Sequence, residues 1–239
     1  STLTAPSVSR MRTLLQFAKY NFIPSVGLQI HSLMDVLLLG YFLSQTAVGA
    51  YEVAWQIAGV TTLLAGSIGV TLLPQISAWD SEAEFQRIET AVSSAITPSL
   101  ILILPAFFGA LVFAPEILGL VFGTEYTIAS LALAILIAGK LPAAIQLIVG
   151  RVLLGLDQPN LVARATVYVI LLNLVLNLLL ISSFGLIGAA VGTTVAFTVG
   201  LLIRVKYLLR FITIQVPYRE LGWCLFASVV MSVNLYGLR

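Results

Sequence analysis

The chain has 239 residues, of which 59% are hydrophobic and only 9% are charged. Soluble domains carry roughly 25% charged residues, so this composition excludes an ordinary soluble domain and predicts an all-α bundle that spans a membrane. The net charge of +2 is small, and no basic tract interleaved with aromatic residues indicates a nucleic-acid partner. The single cysteine, Cys224, excludes a disulfide within the chain.

Apolar runs of about 20 residues are long enough to cross the ~30 Å hydrocarbon layer as helices. The sequence contains about seven such spans, near residues 20–43, 49–73, 91–113, 127–149, 162–181, 186–208 and 221–237. We predict a basic cytoplasmic lead-in over residues 1–19, a six-helix bundle over 20–209 and a cytoplasmic linker over 210–220. An additional transmembrane helix, complete or truncated, follows over 221–239.

The basic residues predict the orientation of these spans. Sorting Lys and Arg by the side that the spans imply puts ten of the twelve on the side of the N-terminus. By the positive-inside rule the N-terminus of this segment is cytoplasmic, and we expect a multi-pass protein of the plasma membrane. The chain does not begin with Met, so we expect a fragment or a processed form.

The longest acidic connection, residues 75–90, carries a pattern typical of a helix start. Ser81 followed by Glu84 matches a capping box, which predicts a short interfacial helix before the third span; a solvated connecting loop is the alternative. In the sixth span, small residues recur at Gly188, Gly192, Ala196 and Gly200. This stripe predicts close helix packing.

Four ionisable residues lie within the predicted spans: His31, Asp35, Glu52 and Lys140. His31 and Asp35 are one helical turn apart and share a face, and ionisable groups in hydrocarbon persist when they face a polar cavity or a partner. Asp35 and Lys140 either form a buried ion pair that pins two helices or line a cavity for an anionic head group or a coupling ion. Glu52 is either a loop-end residue or functional, and His31 either a packing or a proton-sensitive residue.

Uncharged polar residues extend this set. Asn173 and Asn177 are also one turn apart on one face, and Gln29, Gln56 and Gln146 add amides suited to hydroxyl-rich ligands. Arg151 and Arg164 are either cations on a substrate path or anchors at the inner interface. No Walker A, GxSxG or HExxH pattern is present, which favours a transporter over an enzyme and implies no cofactor and no metal site.

Four segments in order carry a family resemblance: MDVLLLGYFLSQTAVGAYEVAWQI, LLPQISAW, FAPEILGLVFGTEYTIAS and NLVLNLLLISSFGLIGAAVGTTVAF. Over about residues 12–210 the chain resembles the polysaccharide-transporter branch of the multidrug/oligosaccharidyl-lipid/polysaccharide exporter superfamily. Members of that family resemble two six-helix lobes facing each other across a central cavity. The resemblance implies that this chain is the second lobe plus one extra helix, and that the N-terminal lobe is missing.

The resemblance also implies a function, namely flipping a polyprenyl-linked oligosaccharide from the inner to the outer leaflet by ion-coupled alternating access. Its partners would be that lipid-linked substrate, the missing lobe and membrane lipid. Asp35 matches an acid that family members commonly place in this helix, whereas His31 and Lys140 match no general pattern. Two alternatives stay open: a multidrug or cation antiporter that uses Asp35 and Glu52, and a non-transporting membrane scaffold.

Overall fold

The structure is a computed structural model that describes residues 33–214 and 216–237. Every regular element within these residues is a helix, which confirms the predicted all-α membrane bundle. His31 and Gln29 lie outside the described residues. The helices are α1 (Leu33–Phe42), α2 (Gln45–Val60), α3 (Leu63–Ser81), α4 (Phe85–Leu100), α5 (Ile103–Val121), α6 (Ser130–Gly155), α7 (Pro159–Leu208) and α8 (Tyr218–Gly237). A short 3-10 helix lies at Thr124–Ala129, between α5 and α6.

Three helical stretches of the described chain are long and apolar enough to cross a membrane, namely Phe85–Val121, Thr124–Gly155 and Pro159–Leu208. The pair α2 and α3, bent by 50° at its junction, would form a fourth span. Large apolar side chains cover much of the outside, including Leu37, which is 72% exposed, and Leu120, which is 87% exposed. An apolar surface of this kind suits contact with lipid.

The interfacial helix predicted over residues 75–90 is wrong. Helix α3 continues to Ser81, and α4 begins at Phe85 after a short turn. The Ser81 hydroxyl donates to the carbonyl of Ala78 and caps nothing, while Glu84 pairs with Arg87 at the surface. The reason is burial: Ile76 of α3 and Ile88 of α4 are fully buried in the same apolar cluster, so both helix ends pack into the bundle.

Helix α6 is the centre of the bundle, because it packs against α2, α3, α4, α5 and α7. Its interior positions are mostly apolar or small, and they are buried on several sides of the helix. Gly139 shows how close the packing is, since a Cβ there would lie 2.5 Å from the hydroxyl of Thr194 on α7. Helix α8 packs against α5 and buries little of its own surface.

Helix α7 is a hairpin of two helical halves joined at Gly185. That residue has φ of 54° and ψ of −130°, a conformation that glycine adopts without steric cost. The two halves, α7a (159–184) and α7b (186–208), then lie in direct contact. A Cβ on Gly188 would lie 2.1 Å from the carbonyl oxygen of Leu180, and one on Gly200 would lie 2.4 Å from Val169. The small-residue stripe is therefore a packing surface, as predicted.

We predict that Gly188→Ala destabilises the protein by about 1–3 kcal/mol, the usual cost of overpacking, because the added methyl group meets backbone atoms that cannot rotate away. Thermal unfolding of the purified full-length protein in detergent would measure the loss. Gly66→Ala is the matched control, since a Cβ at Gly66 meets nothing within 4 Å. Equal melting temperatures for the two variants would contradict the tight hairpin.

Candidate functional site

The candidate site is built around the carboxylate of Asp35, which is only 2% exposed. One oxygen accepts hydrogen bonds from the hydroxyl of Thr193 at 3.0 Å and from that of Tyr51 at 3.3 Å. The other oxygen accepts one from the side-chain amide of Asn177. Helix α1 is therefore tied to α2, α7a and α7b through a single side chain.

Two local features of the fold bring these partners together. Ser44 accepts a hydrogen bond from the backbone N–H of Ala47 at 3.3 Å and so caps the start of α2, which lets Tyr51 reach back to Asp35. The hairpin at Gly185 sets α7a beside α7b. It places Asn177 and Thr193, far apart along one helical run, on the same carboxylate.

A second layer of hydrogen bonds fixes the donors. The Asn177 amide also donates to Asn173 Oδ1 at 3.2 Å, and the Asn173 amide donates to Thr193 Oγ1 at 3.1 Å. Asn177 Oδ1 is buried without a hydrogen-bond partner, and it points at Gly192, where a Cβ would lie 2.7 Å away. Several carboxylate, amide and hydroxyl oxygens thus converge in a small buried volume, and one of them has unused acceptor capacity.

Lys140 on α6 lies near this cluster without joining it. Its side chain is 6% exposed, and its Nζ lies 3.5 Å from the centroid of the Trp55 ring and 5.8 Å from that of Phe197. Among the residues described, the one ion pair within 4 Å is the surface pair Arg87–Glu84. The predicted alternative of a direct Asp35–Lys140 ion pair is therefore wrong, because aromatic rings and not the carboxylate hold the ammonium.

Glu52 and Gln56 are exposed, one turn apart on α2. Glu52 lines a small cleft together with Val36, Tyr51, Trp55 and the buried Asp35. The exposed Glu52 and the buried Asp35 therefore line the same small cleft. Across residues 33–214 and 216–237, no group of three His, Cys, Asp or Glu side chains is placed to hold a metal ion.

The remaining polar candidates lie apart from Asp35. Gln146 is buried, and its side-chain amide donates to the carbonyl of Phe197 at 2.9 Å. Arg204, which the sequence did not single out, donates to the carbonyl of Gln146 at 3.1 Å and to the hydroxyl of Thr166 at 3.0 Å. Arg151 is half-buried against α3, and Arg164 is exposed. These contacts join α6 to both halves of α7 toward their Lys- and Arg-rich ends.

Asp35, Asn173 and Asn177 were all candidates from the sequence, and the structure brings these three together. The roles of Thr193, Trp55 and Tyr51 were not predicted. Thr193 had a weak signal, since it is a hydroxyl within the small-residue stripe and one position after Gly192. Trp55 had none, because its contact with Lys140 exists only once α2 and α6 are packed.

The family model described as "Polysaccharide biosynthesis protein" matches residues 3–131, more than half of the chain. The chain belongs to this family. Over all 239 residues it is 45% identical to a probable low-salt glycan biosynthesis flippase, Agl15, of Haloferax volcanii, and covers 51% of that protein. It is 27% identical to the probable flippase AglR of the same organism, of which it covers 50%. This polysaccharide biosynthesis family member thus spans about half the length of its curated relatives.

Solved structures share the fold. The lipid II flippase MurJ in an inward closed conformation aligns with a TM-score of 0.78 at 18% sequence identity, over 97% of this chain and 50% of MurJ. A multidrug resistance MATE family transporter in an outward-facing conformation aligns with a TM-score of 0.70 at 20% identity, over 86% of this chain and 47% of its own. The chain therefore has the fold of one half of these transporters.

We predict that Thr193→Val destabilises the protein by about 1–3 kcal/mol, because it removes a donor to Asp35 and leaves the buried Asn173 amide without an acceptor. The shape of the side chain is nearly unchanged. Thr198→Val is the control on the same helix, since that hydroxyl is exposed and bonds only to the carbonyl of Thr194. Chemical or thermal unfolding of the full-length protein measures both, and equal losses would contradict a network centred on Asp35.

Proposed function

We propose that this chain is the second lobe of a flippase that moves a lipid-linked oligosaccharide from the inner to the outer leaflet. Membership in the polysaccharide biosynthesis family and the 45% identity to a probable glycan biosynthesis flippase support this assignment. The fold shared with the lipid II flippase MurJ agrees with it. The N-terminal lobe, the lipid-linked oligosaccharide and the surrounding membrane lipid are the partners that this function requires.

We propose further that the flippase is coupled to a small monovalent cation bound at Asp35. The observation that carries this proposal is a buried carboxylate surrounded by the side chains of Tyr51, Asn177 and Thr193, with Asn177 Oδ1 left without a partner. Hard cations take carboxylate, amide and hydroxyl oxygens as ligands. The network contains one carboxylate and no other charged group, so its charge balances one monovalent cation.

Cation binding at this place would act on the arrangement of the helices. The three donors to Asp35 come from α2, α7a and α7b, and a cation would compete with them for the same oxygens. A ligand shifts a conformational equilibrium only by its differential affinity for the two states. A site whose ligands lie on separate helices has that property, because its affinity depends on how those helices are packed.

The substrate would pass along the exposed polar face of α2. Glu52 and Gln56 are exposed there, and Glu52 lines a small cleft together with Asp35. Amide and carboxylate groups suit hydroxyl-rich sugars. We assign Arg151 and Arg164 to the cytoplasmic end, where they would anchor the bundle at the inner interface. In this orientation the N-terminus of the segment lies in the cytoplasm. The flippase itself lies in the plasma membrane.

The test uses the full-length protein in liposomes that contain a fluorophore-labelled polyprenyl-pyrophosphate oligosaccharide. Quenching of the label in the outer leaflet by dithionite reports its movement. We expect a sodium gradient to accelerate movement over a choline control. We expect Asp35→Asn to reduce that acceleration about tenfold or more, within the range typical of coupling free energies, while the protein still inserts.

Glu82→Gln is the matched control, because it removes one acidic charge at an exposed position far from the cluster. It should retain the full sodium effect. Movement of a cationic dye in place of the oligosaccharide would favour the antiporter. Normal insertion with no movement of either probe would favour a membrane scaffold. Either of these two results would contradict the proposal that the protein is an oligosaccharide flippase.

A further inference from the structure

Lys140 is a second buried ionisable residue, and the proposed function assigns it no role. Lys140 lies in the middle of α6 and is almost fully buried within the bundle. A charge there is costly unless a partner compensates it. The ammonium lies 3.5 Å from the centroid of Trp55, with Phe197 on α7b at 5.8 Å. Cation–π contact of this kind stabilises a desolvated ammonium without occupying any carboxylate.

Asp35 lies in the neighbourhood of Lys140, because Trp55, whose ring contacts the ammonium, lines the same small cleft as Asp35. Among the described residues the two charges form no ion pair within 4 Å. The carboxylate oxygens are taken by Tyr51, Thr193 and Asn177 instead. The positive charge therefore lies near Asp35 and yet is kept off its oxygens. A lysine on a flexible four-carbon stem would reach a nearby carboxylate if nothing else held its ammonium.

We propose that Trp55 and Phe197 hold Lys140 as an internal counter-charge to Asp35, which sets the affinity of the cluster for its coupling cation. This inference rests on the proposed cation site. Lys140 balances the carboxylate when no cation does, and the aromatic rings prevent the ammonium from blocking the cluster. Lys140 is thus a positioning residue that acts through Asp35.

The proposal predicts opposite effects for the two partners of the cation–π pair. Lys140→Gln removes a nearby positive charge that opposes cation binding, and so should lower the half-saturating sodium concentration at least about tenfold, as expected for two like charges in a partly buried site. Trp55→Leu releases the ammonium to pair with Asp35 directly. It should therefore raise the half-saturating concentration by a similar factor.

The measurement is the melting temperature of the purified full-length protein in detergent, titrated with sodium chloride that replaces choline chloride at constant ionic strength. A ligand that binds the folded state raises this temperature in a saturable way. Trp55→Phe is the matched control, because it keeps an aromatic face under the ammonium, and it should titrate like the wild type. The double variant Lys140→Gln with Trp55→Leu should titrate like Lys140→Gln alone, since the ring acts only through the lysine.

Four results would overturn the inference. If Lys140→Gln lowers the melting temperature equally in sodium and choline, the residue is structural only. If it raises the KM for the labelled oligosaccharide and leaves the sodium titration unchanged, Lys140 is an anion-binding residue. If the wild type itself gives no sodium-dependent shift, the proposed cation site fails together with the counter-charge, whereas a responsive wild type with an unshifted Lys140→Gln variant overturns the counter-charge alone.

Discussion

The structure depends on how one negative charge is buried in an apolar bundle. An isolated carboxylate in such surroundings is costly unless hydrogen bonds or opposite charges compensate it. Asp35 receives donors from Tyr51, Asn177 and Thr193, so α1, α2 and both halves of α7 must hold fixed positions around it. The tight hairpin at Gly185 and the close contacts of Gly188 and Gly192 are the backbone conditions that allow this arrangement.

The second buried ionisable group is Lys140 on α6, and we relate its position to the charge of Asp35. In the proposed arrangement Lys140 is the counter-charge to Asp35, and Trp55 and Phe197 hold its ammonium away from the carboxylate. Because α6 packs against most of the other helices, a change in the charge of the Asp35 cluster would alter the packing at the centre of the bundle. In the flippase that we propose, a cation bound at Asp35 would couple its own binding to the packing of the whole lobe.

The polar residues in apolar spans were the part that the sequence could predict. Asp35, Asn173 and Asn177 stand out because their burial needs partners, and the small-residue stripe indicated a close helix contact. Thr193 did not stand out, since threonine hydroxyls in helices commonly bond to their own backbone and carry little signal. Tyr51 did not stand out because its contact with Asp35 exists only once α1 and α2 are packed. The interfacial helix was wrong because a local capping pattern at Ser81 and Glu84 says nothing of the apolar cluster around Ile76 and Ile88. The contact of Lys140 with Trp55 is purely tertiary.

Equilibrium binding of radioactive sodium to the purified full-length protein shows whether a cation binds at Asp35. We expect saturable binding that is lost in Asp35→Asn and weakened in Thr193→Val, because both variants remove oxygens from the same buried cluster. Thr198→Val, which alters an exposed hydroxyl of the same helix, should bind sodium like the wild type. Undiminished binding by a folded Asp35→Asn protein would contradict the account, since it would place the cation away from the carboxylate around which the lobe is built.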